Sequence, residues 1–374
     1  VTMHNPTTLA DRRRFRLHNL KISLPTKALA FGLAMLPLHA INASKANNQY
    51  AQVVSRNTLT VVTVQSPTTV FNDGQYLHGF GYDLMRNYAQ SLNVQLEFKI
   101  VDSNATALKW VAKGKANLAL TNADFTSVEK KNLMSFSASC GDFNVLQQNG
   151  LDTALNLVFK DAEDRLTQTA SGFICQSKNN GLLGHLASFY NHHVVKEESW
   201  DTIERDLQQR MPIYRASFER AAQQYNLNWH MLAAMGYQES YLKPDSISPT
   251  GVRGLMMLTN ETAKAMGIED RVDPEQSIQG GAKYYDLLLT KYDYIPNPDR
   301  HWYALVAYNM GPGAVAVIQK QLQQQGEDPN SWLNIYAYLQ QHQMSNSRYR
   351  QALQYVTRIR AYLEHIQMQQ RIEV

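Results

Sequence analysis

Cysteine is scarce in this chain of 374 residues, which contains two, Cys140 and Cys175. In an exported protein they could form one disulfide, which we slightly favour, and the alternative is a pair of free buried thiols. No cysteine lies near the N-terminal segment, which argues against a lipid-modified cysteine there. The cysteines, histidines and aspartates show no spacing typical of a metal site, so we expect neither a metal nor another cofactor.

An excess of positive charge is missing from the body of the chain. The formal net charge is +4, but seven of the 36 Lys and Arg residues and one of the 32 acidic residues fall within positions 1–46. The remainder has 29 basic and 31 acidic residues, a net charge of −2. This balance gives no electrostatic reason to expect a nucleic acid as partner.

Apolar runs long enough to cross a bilayer are also missing. The segment ALAFGLAMLPLHA at 28–40 contains Pro37 and is shorter than the ~18 apolar residues that a membrane span requires. It follows an arginine-rich stretch and precedes small residues, an order typical of a secretory signal peptide, with a single membrane anchor as the alternative. We therefore predict that residues 1–46 are a signal peptide.

Strand and helix patterns alternate after a polar segment, 47–57, that we interpret as a linker. The order strand, helix, strand, helix, strand predicts a parallel α/β unit within a domain that spans residues 58–198. The strand patterns lie at 59–64, 94–100 and 116–122, and the helical patterns at 81–93 and 105–115.

This α/β region resembles the first lobe of the family 3 solute-binding proteins of the bacterial periplasm. The resemblance is carried by LTVVTVQSP, GFGYDLMRNYAQSLNV and GKANLALTNADFTSVEKKNLMSFS, and residues 156–176 resemble the returning end of such a domain. It implies a small ligand or a muropeptide as partner. Lys130 and Lys131 stand where amino-acid-binding members have an arginine, and lysine lacks the bidentate fork. The short span leaves room for one lobe, so we expect no closing cleft.

The second half of the chain is almost entirely helical in pattern, which predicts an all-α domain over 199–374. In the segment WHMLAAMGYQES, Glu239 shares a face with Leu232 and Met235. Pro244 should end this helix within a turn of Glu239.

The position of Glu239 has two interpretations. Apolar neighbours and the negative end of the helix dipole should raise its pKa, as a general acid near neutral pH requires. Alternatively, Glu239 is a surface residue paired with Lys243 four positions later.

Downstream motifs favour the first interpretation. ESYLKPDSISPTGVRGLMMLTNETA, AYNMGPGAV and QYVTRIRAYL resemble, in order and spacing, the lytic transglycosylase domain of the soluble type, family 1. The resemblance covers about residues 230–364 and implies a lysozyme-like all-α fold that cleaves murein glycan strands. GLMM and the preceding α/β domain indicate the membrane-bound F-type subgroup, whose members associate with the outer membrane. It therefore implies a periplasmic monomer peripherally bound to that membrane.

The resemblance also implies roles for particular residues. Glu239 is the catalytic acid and base, and the family often has glutamine where Met257 stands, so a hydrogen bond to sugar is expected to be lost. Tyr355 corresponds to a late tyrosine that supports the catalytic carboxyl. The residues implied to bind substrate are Ser248, Met257, Tyr308, Asn309 and Tyr355.

A second catalytic carboxylate, which many glycosidases use, is not evident in these motifs. Asp245 follows the helix end, and Asp270 and Asp273 fall in a loop. One acid is sufficient if the C6 hydroxyl of N-acetylmuramic acid attacks, which would leave a 1,6-anhydro end. A hydrolase of the lysozyme type and a non-catalytic murein-binding or sensor protein remain alternatives.

Overall fold

The described part of the chain begins just after the predicted signal peptide. The structure is a computed structural model, and it describes residues 48–249 and 251–372. The predicted signal peptide and Thr250 lie outside these residues. Within them, no helix has both the length and the apolar character that crossing a membrane would need.

The strands all lie in the first half of the described chain. Five of them form one sheet in the order β4-β1-β5-β7-β6, and β2 and β3 form a separate antiparallel hairpin. The strands are β1 (Thr58–Val64), β2 (Phe71–Asn72), β3 (Leu77–His78), β4 (Gln95–Val101), β5 (Leu118–Thr121), β6 (Met134–Ser137) and β7 (Asn156–Phe159).

The sheet confirms the predicted α/β fold. β1 is parallel to both β4 and β5, with Thr58 opposite Gln95 and Val61 opposite Leu118. β7 runs antiparallel between β5 and β6, so the segment from residue 156 does return into the sheet. Among the described residues this is the one large sheet, as a single lobe requires.

The helices of the α/β region cover both faces of the sheet. The last two, α6 and α7, follow the final strand in the sequence. They are α1 (Gln49–Arg56), α2 (Phe80–Ser91), α3 (Asn104–Ala112), α4 (Phe125–Glu129), α5 (Phe143–Gln147), α6 (Arg165–Asn179) and α7 (Leu182–Phe189).

Helix α1 lies where the sequence led us to expect a linker. Asn48 caps it by accepting from the Ala51 N–H, and Val53 is buried against the domain. The Asp164 carboxylate at the start of α6 accepts from the Gln49 N–H at 2.7 Å and from the Tyr50 N–H at 3.3 Å. Helix α1 has eight residues, and its position depends on Asp164, which lies 115 positions after Gln49 in the sequence, so local patterns alone do not identify it.

Of the two alternatives that the sequence left open for the cysteines, the structure shows the disulfide. Cys140 and Cys175, on α6, are bonded with their Cα atoms 5.1 Å apart. The disulfide links the segment after β6, which contains Cys140, to α6, the helix that follows the sheet.

The second half of the described chain is helical, which confirms the predicted all-α class. The helix α9, which carries Glu239, packs against α8 and α15. The helices are α8 (Glu197–Tyr225), α9 (Trp229–Ser240), α10 (Asn260–Met266), α11 (Pro274–Lys291), α12 (Asp299–Met310), α13 (Pro312–Gln324), α14 (Trp332–His342) and α15 (Ser347–Ile372).

The hairpin at residues 71–78 joins the two halves, which belong to one compact unit. The Asp73 carbonyl accepts a hydrogen bond from Asn228, which caps the N-terminus of α9, and one of 2.6 Å from Gln367 of α15. His78 is buried with its ring 5.2 Å from that of Trp302 in α12. The α/β region thus holds the N-terminus of the helix that carries Glu239.

Candidate active site

Glu239 is the penultimate residue of α9, as the sequence predicted. The helix ends at Ser240 because Tyr241 takes the left-handed conformation, with φ of 55°, and its N–H bonds to the Tyr237 carbonyl. Pro244 follows three residues later. The helix therefore ends one residue after Glu239, which lies in its last turn at the negative end of the helix dipole.

The Glu239 carboxyl is half-buried and has one hydrogen-bond donor. The Tyr355 hydroxyl donates to Glu239 Oε1 at 2.6 Å. Burial raises the pKa of Glu239 to about 8, and the hydrogen bond from Tyr355 opposes that rise. No ion pair joins Glu239 to Lys243 in the part of the chain that the structure describes. At neutral pH the carboxyl is therefore mostly protonated.

Two tyrosines surround this carboxyl. Burial, followed by the charge of Glu239, raises the pKa of both Tyr355 and Tyr308 well above the ordinary value. The Tyr308 hydroxyl donates to the Met256 carbonyl at 3.0 Å, and its ring lies 5.3 Å from that of Tyr284. Both phenols stay neutral and can only donate or accept hydrogen bonds near Glu239.

The loop from 246 to 258 runs alongside the end of α9. Ser240 Oγ donates to the Leu255 carbonyl at 3.0 Å, and the Met256 N–H donates to Ser277 Oγ at 3.1 Å. Tyr308 holds the same segment through Met256. The loop is therefore tied to α9, α11 and α12 at once.

Ser248 and Met257 lie on this loop. Ser248 Oγ accepts from the Val252 N–H at 3.2 Å, so it stabilises the first part of this loop. Met257 is partly exposed and has a φ of 48°. The structure places both residues on the loop that passes Glu239, and their proposed contact with substrate stays a prediction.

Asn309 follows Tyr308 near the end of α12 and is partly exposed. Its side-chain amide has no hydrogen-bond partner among residues 48–249 and 251–372. An amide that is half-exposed and unpaired can donate to and accept from a sugar.

Some residues that shape the site gave no motif in the sequence. Arg271 donates to the Leu258 carbonyl at 2.7 Å and to the Gly251 carbonyl at 3.1 Å, which closes the loop. A Cβ on Gly254 would come within 1.9 Å of the Arg271 carbonyl oxygen, and one on Gly281 within 2.6 Å of Met256. The adjacent glycines at 280 and 281 inside a helical pattern were a signal of close approach that could have been used.

The other acids near these motifs either have structural partners or are exposed. Asp273 accepts from the Gln276 N–H at 2.9 Å, Asp270 accepts from the Val272 N–H at 2.9 Å, and Asp245 is exposed. None of them contributes to the pKa shift of Glu239. In the described ranges no group of three or more His, Cys, Asp or Glu side chains could hold a metal ion. The arrangement offers one proton donor and neutral hydrogen-bonding groups.

Comparison with known proteins gives this helical region a family. Residues 216–333 match the model of the transglycosylase SLT domain. The membrane-bound lytic murein transglycosylase F of Stutzerimonas stutzeri is 38% identical over 69% of this chain and 54% of its own length. The protein of that name from Alcanivorax borkumensis is 35% identical over 74% of the chain and 61% of its own length.

The chain spans little more than half the length of these curated relatives. A solved structure, an inactive mutant of the lytic transglycosylase Slt from Pseudomonas aeruginosa, matches 78% of this chain and 50% of its own at 16% identity and a TM-score of 0.35. Residues 216–333 are thus similar to the transglycosylase SLT domain, and over 69% of its own length the chain is similar to a membrane-bound lytic murein transglycosylase F.

Proposed function

We propose that this protein is a lytic transglycosylase that cleaves the β-1,4 bond between N-acetylmuramic acid and N-acetylglucosamine in murein. The observation that carries the proposal is the Glu239 carboxyl, which burial keeps protonated at neutral pH while a single tyrosine holds one of its oxygens. A protonated carboxyl with one free oxygen is what general acid catalysis of glycoside cleavage needs.

In the first step, Glu239 donates its proton to the glycosidic oxygen. The bond from C1 of the muramic acid residue to that oxygen breaks, and N-acetylglucosamine leaves with a free 4-hydroxyl. The hydrogen bond from Tyr355 to Oε1 stabilises the carboxylate that forms, so the proton transfer does not leave a bare charge in an apolar site.

In the second step, the C6 hydroxyl oxygen of the same muramic acid attacks its C1. Its proton passes to the Glu239 carboxylate, which restores the starting acid and leaves a 1,6-anhydro ring. No water enters the product. Asn309, Met257, Ser248 and Tyr308 are proposed to hold the glycan near Glu239, with the free amide of Asn309 as the clearest donor and acceptor.

A hydrolase of the lysozyme type is the second candidate function, because Glu239 could equally activate water. Asp270 and Asp273 are engaged in a turn and in a helix cap, which favours attack by a group that the substrate supplies. A non-catalytic sensor is disfavoured, since such a protein has no need of an acid held neutral at this pKa.

The test is product analysis on purified murein. Mass spectrometry should find muropeptides that are lighter than the hydrolytic products by one water. Products that carry a free reducing end would instead assign a hydrolase. Glu239→Gln should give neither product, and a murein digest identical to that of wild type would reject Glu239 as the acid.

The location and partners belong to the same proposal. We propose export to the periplasm through a signal peptide at 1–46 and peripheral association with the outer membrane, supported by the membrane-bound relatives. The boundaries of the α/β domain at 58–198 and of the catalytic domain at 199–374 are proposed on the change from strands and helices to helices alone. We further propose that the protein is a monomer and that its α/β lobe binds a small ligand or muropeptide.

A further inference from the structure

A pocket of about 470 Å³ lies against the helix that carries Glu239. It is formed by the segment before α8 and the first turns of α8, by the end of α9 and by α15. Tyr237, Tyr241 and Lys243 line it from the α9 side, and Arg358 and Tyr362 line it from α15.

The pocket is separate from the proposed catalytic cleft. Tyr237 and Tyr241 are four residues apart and lie along the same side of the chain at the end of α9. Glu239 lies two positions from each, and residues two apart on a helix point to opposite sides. A ligand in the pocket would therefore contact the catalytic helix from behind and would leave the Glu239 carboxyl accessible.

Arg358 gives the pocket an unneutralised positive charge. Its side chain is partly buried, and within the described residues it has no acidic partner and no hydrogen bond. Removing part of a guanidinium from water without a partner is unfavourable, and a carboxylate that takes two of its N–H groups would compensate for it. Lys243 is exposed at the same pocket and also makes no ion pair in that part of the chain.

The acidic residues at the pocket do not neutralise Arg358. The Asp206 carboxylate lies 2.9 Å from Arg210 and accepts from the Tyr237 hydroxyl at 3.3 Å. Glu198 lies 4.0 Å from Lys196 at the pocket edge. With these acids occupied, Arg358 and Lys243 leave the pocket with a net positive charge.

Aromatic rings form a wall beside these cations. The ring of Tyr237 lies 5.5 Å from that of Tyr241 and 5.0 Å from that of Tyr362. Tyr241 is 52% exposed although it occupies the left-handed C-terminal position where glycine is usually found. A residue with a bulky side chain costs conformational free energy in the left-handed region. The exposed ring of Tyr241 provides a contact surface at the mouth of the pocket.

We propose that this pocket binds the carboxylates of the peptide stems that are attached to murein glycan strands. The choice of ligand rests on the proposed function, because murein carries short peptides with free carboxylates along the strand that Glu239 cleaves. Arg358 and Lys243 bind the carboxylates, and the tyrosines contact the peptide. The enzyme would thus hold a neighbouring stem behind α9 while the glycan lies in the cleft.

The direct test uses N-acetylmuramoyl tetrapeptide, which has free carboxylates and no glycosidic bond to cleave. Isothermal titration calorimetry should show binding to wild type and at least tenfold weaker binding to Arg358→Gln. Lys243→Gln, at an exposed position that cannot disturb folding, should also weaken binding. Arg350→Gln is the matched control, since Arg350 is exposed on α15 outside the pocket and should leave the affinity unchanged.

A tetrapeptide probe with its carboxylates amidated should not bind. If both pocket variants bind the native probe as wild type does, or if the amidated probe binds equally well, the proposal is overturned. The result is independent of cleavage: a protein that binds the probe through Arg358 but releases no anhydro product keeps the pocket and loses the proposed function.

Kinetics supply a second readout. Arg358→Gln should cleave peptide-free glycan strands at the wild-type rate and should show a raised KM on peptide-bearing murein with kcat unchanged. An equal KM for the variant and wild type on peptide-bearing murein would contradict a role for the pocket in substrate binding.

Discussion

Two acids that are shielded from water, one in each half of the molecule, have pKa values shifted in opposite directions. Burial raises the pKa of Asp73 in the α/β half, but His78 at 2.7 Å and the N–H groups of Tyr76 and Gln75 outweigh it, so its pKa lies below the ordinary value. Glu239 in the helical half faces a neutral phenol and no cation, and its pKa rises to about 8. A structural acid, such as Asp73, is paired and stays ionised. A catalytic acid, such as Glu239, has no cationic partner and keeps a proton that it can donate.

The largest effect on activity is expected from removing the proposed catalytic acid, Glu239. Glu239→Gln keeps the shape and the hydrogen bond to Tyr355 but carries no transferable proton, so murein cleavage should fall by ~10² or more. Release of soluble muropeptides measures the change, and circular dichroism checks folding. Glu261→Gln, an exposed matched change on α10, should retain full activity.

Removing the structural acid, Asp73, should instead reduce stability. Asp73→Ala leaves His78 buried without its partner, which should lower the free energy of unfolding by about 3 kcal/mol. Urea denaturation measures the loss, and Asp102→Ala on the exposed surface should change it by less than about 0.5 kcal/mol. A stable Asp73→Ala protein would show that the pair of Asp73 with His78 does not stabilise the hairpin at 71–78.

The disulfide tests whether the α/β half can be weakened without affecting the chemistry. Replacing both Cys140 and Cys175 with serine should lower the free energy of unfolding by about 2–4 kcal/mol, because the unfolded chain regains the freedom of a loop closed by residues 35 apart. Murein cleavage at 25 °C should stay within twofold of wild type. A large loss of activity in the folded double variant would couple the disulfide to the active site.

The smallest expected effect concerns the pH dependence. Because Glu239 acts in its protonated form, the rate should fall as pH rises through about 8. The Tyr355 hydrogen bond lowers this pKa, so Tyr355→Phe should move the alkaline limb to higher pH and reduce kcat about tenfold.

Rate profiles between pH 5 and 10 measure both effects, and the exposed Tyr294→Phe serves as the control. If the alkaline limb of the pH–rate profile is the same in Tyr355→Phe and wild type, a group other than Glu239 limits the rate at high pH.

The sequence predicted the parts of this molecule that depend on local patterns. Strand β1, helix α2 and the end of α9 one residue after Glu239 all follow from periodicity and from breakers such as Pro244. The raised pKa of Glu239 followed from its apolar face. Tyr355 as its partner did not, since the two residues are 116 positions apart and the expectation came from a family resemblance.

What the sequence could not predict depends on long-range contacts. The strands β2 and β3 have two residues each, too short for a period of two to be detected. Their hairpin is fixed by Asp73, whose carbonyl is bound by Asn228 and Gln367 from distant helices. Arg271 closes the loop beside Glu239 by donating to backbone carbonyls. Every residue has a backbone carbonyl, so such a bond requires no particular side chain at the acceptor and gives no signal in the sequence.

The most direct test of the central claim is the titration of Glu239 itself. Carbon-13 NMR of the side-chain carboxyl, with Glu239→Gln used to assign its signal, should give a pKa near 8 in the folded protein. A midpoint near the ordinary value of 4.5 would show that the carboxyl is already ionised at neutral pH, and Glu239 could then not be the proton donor.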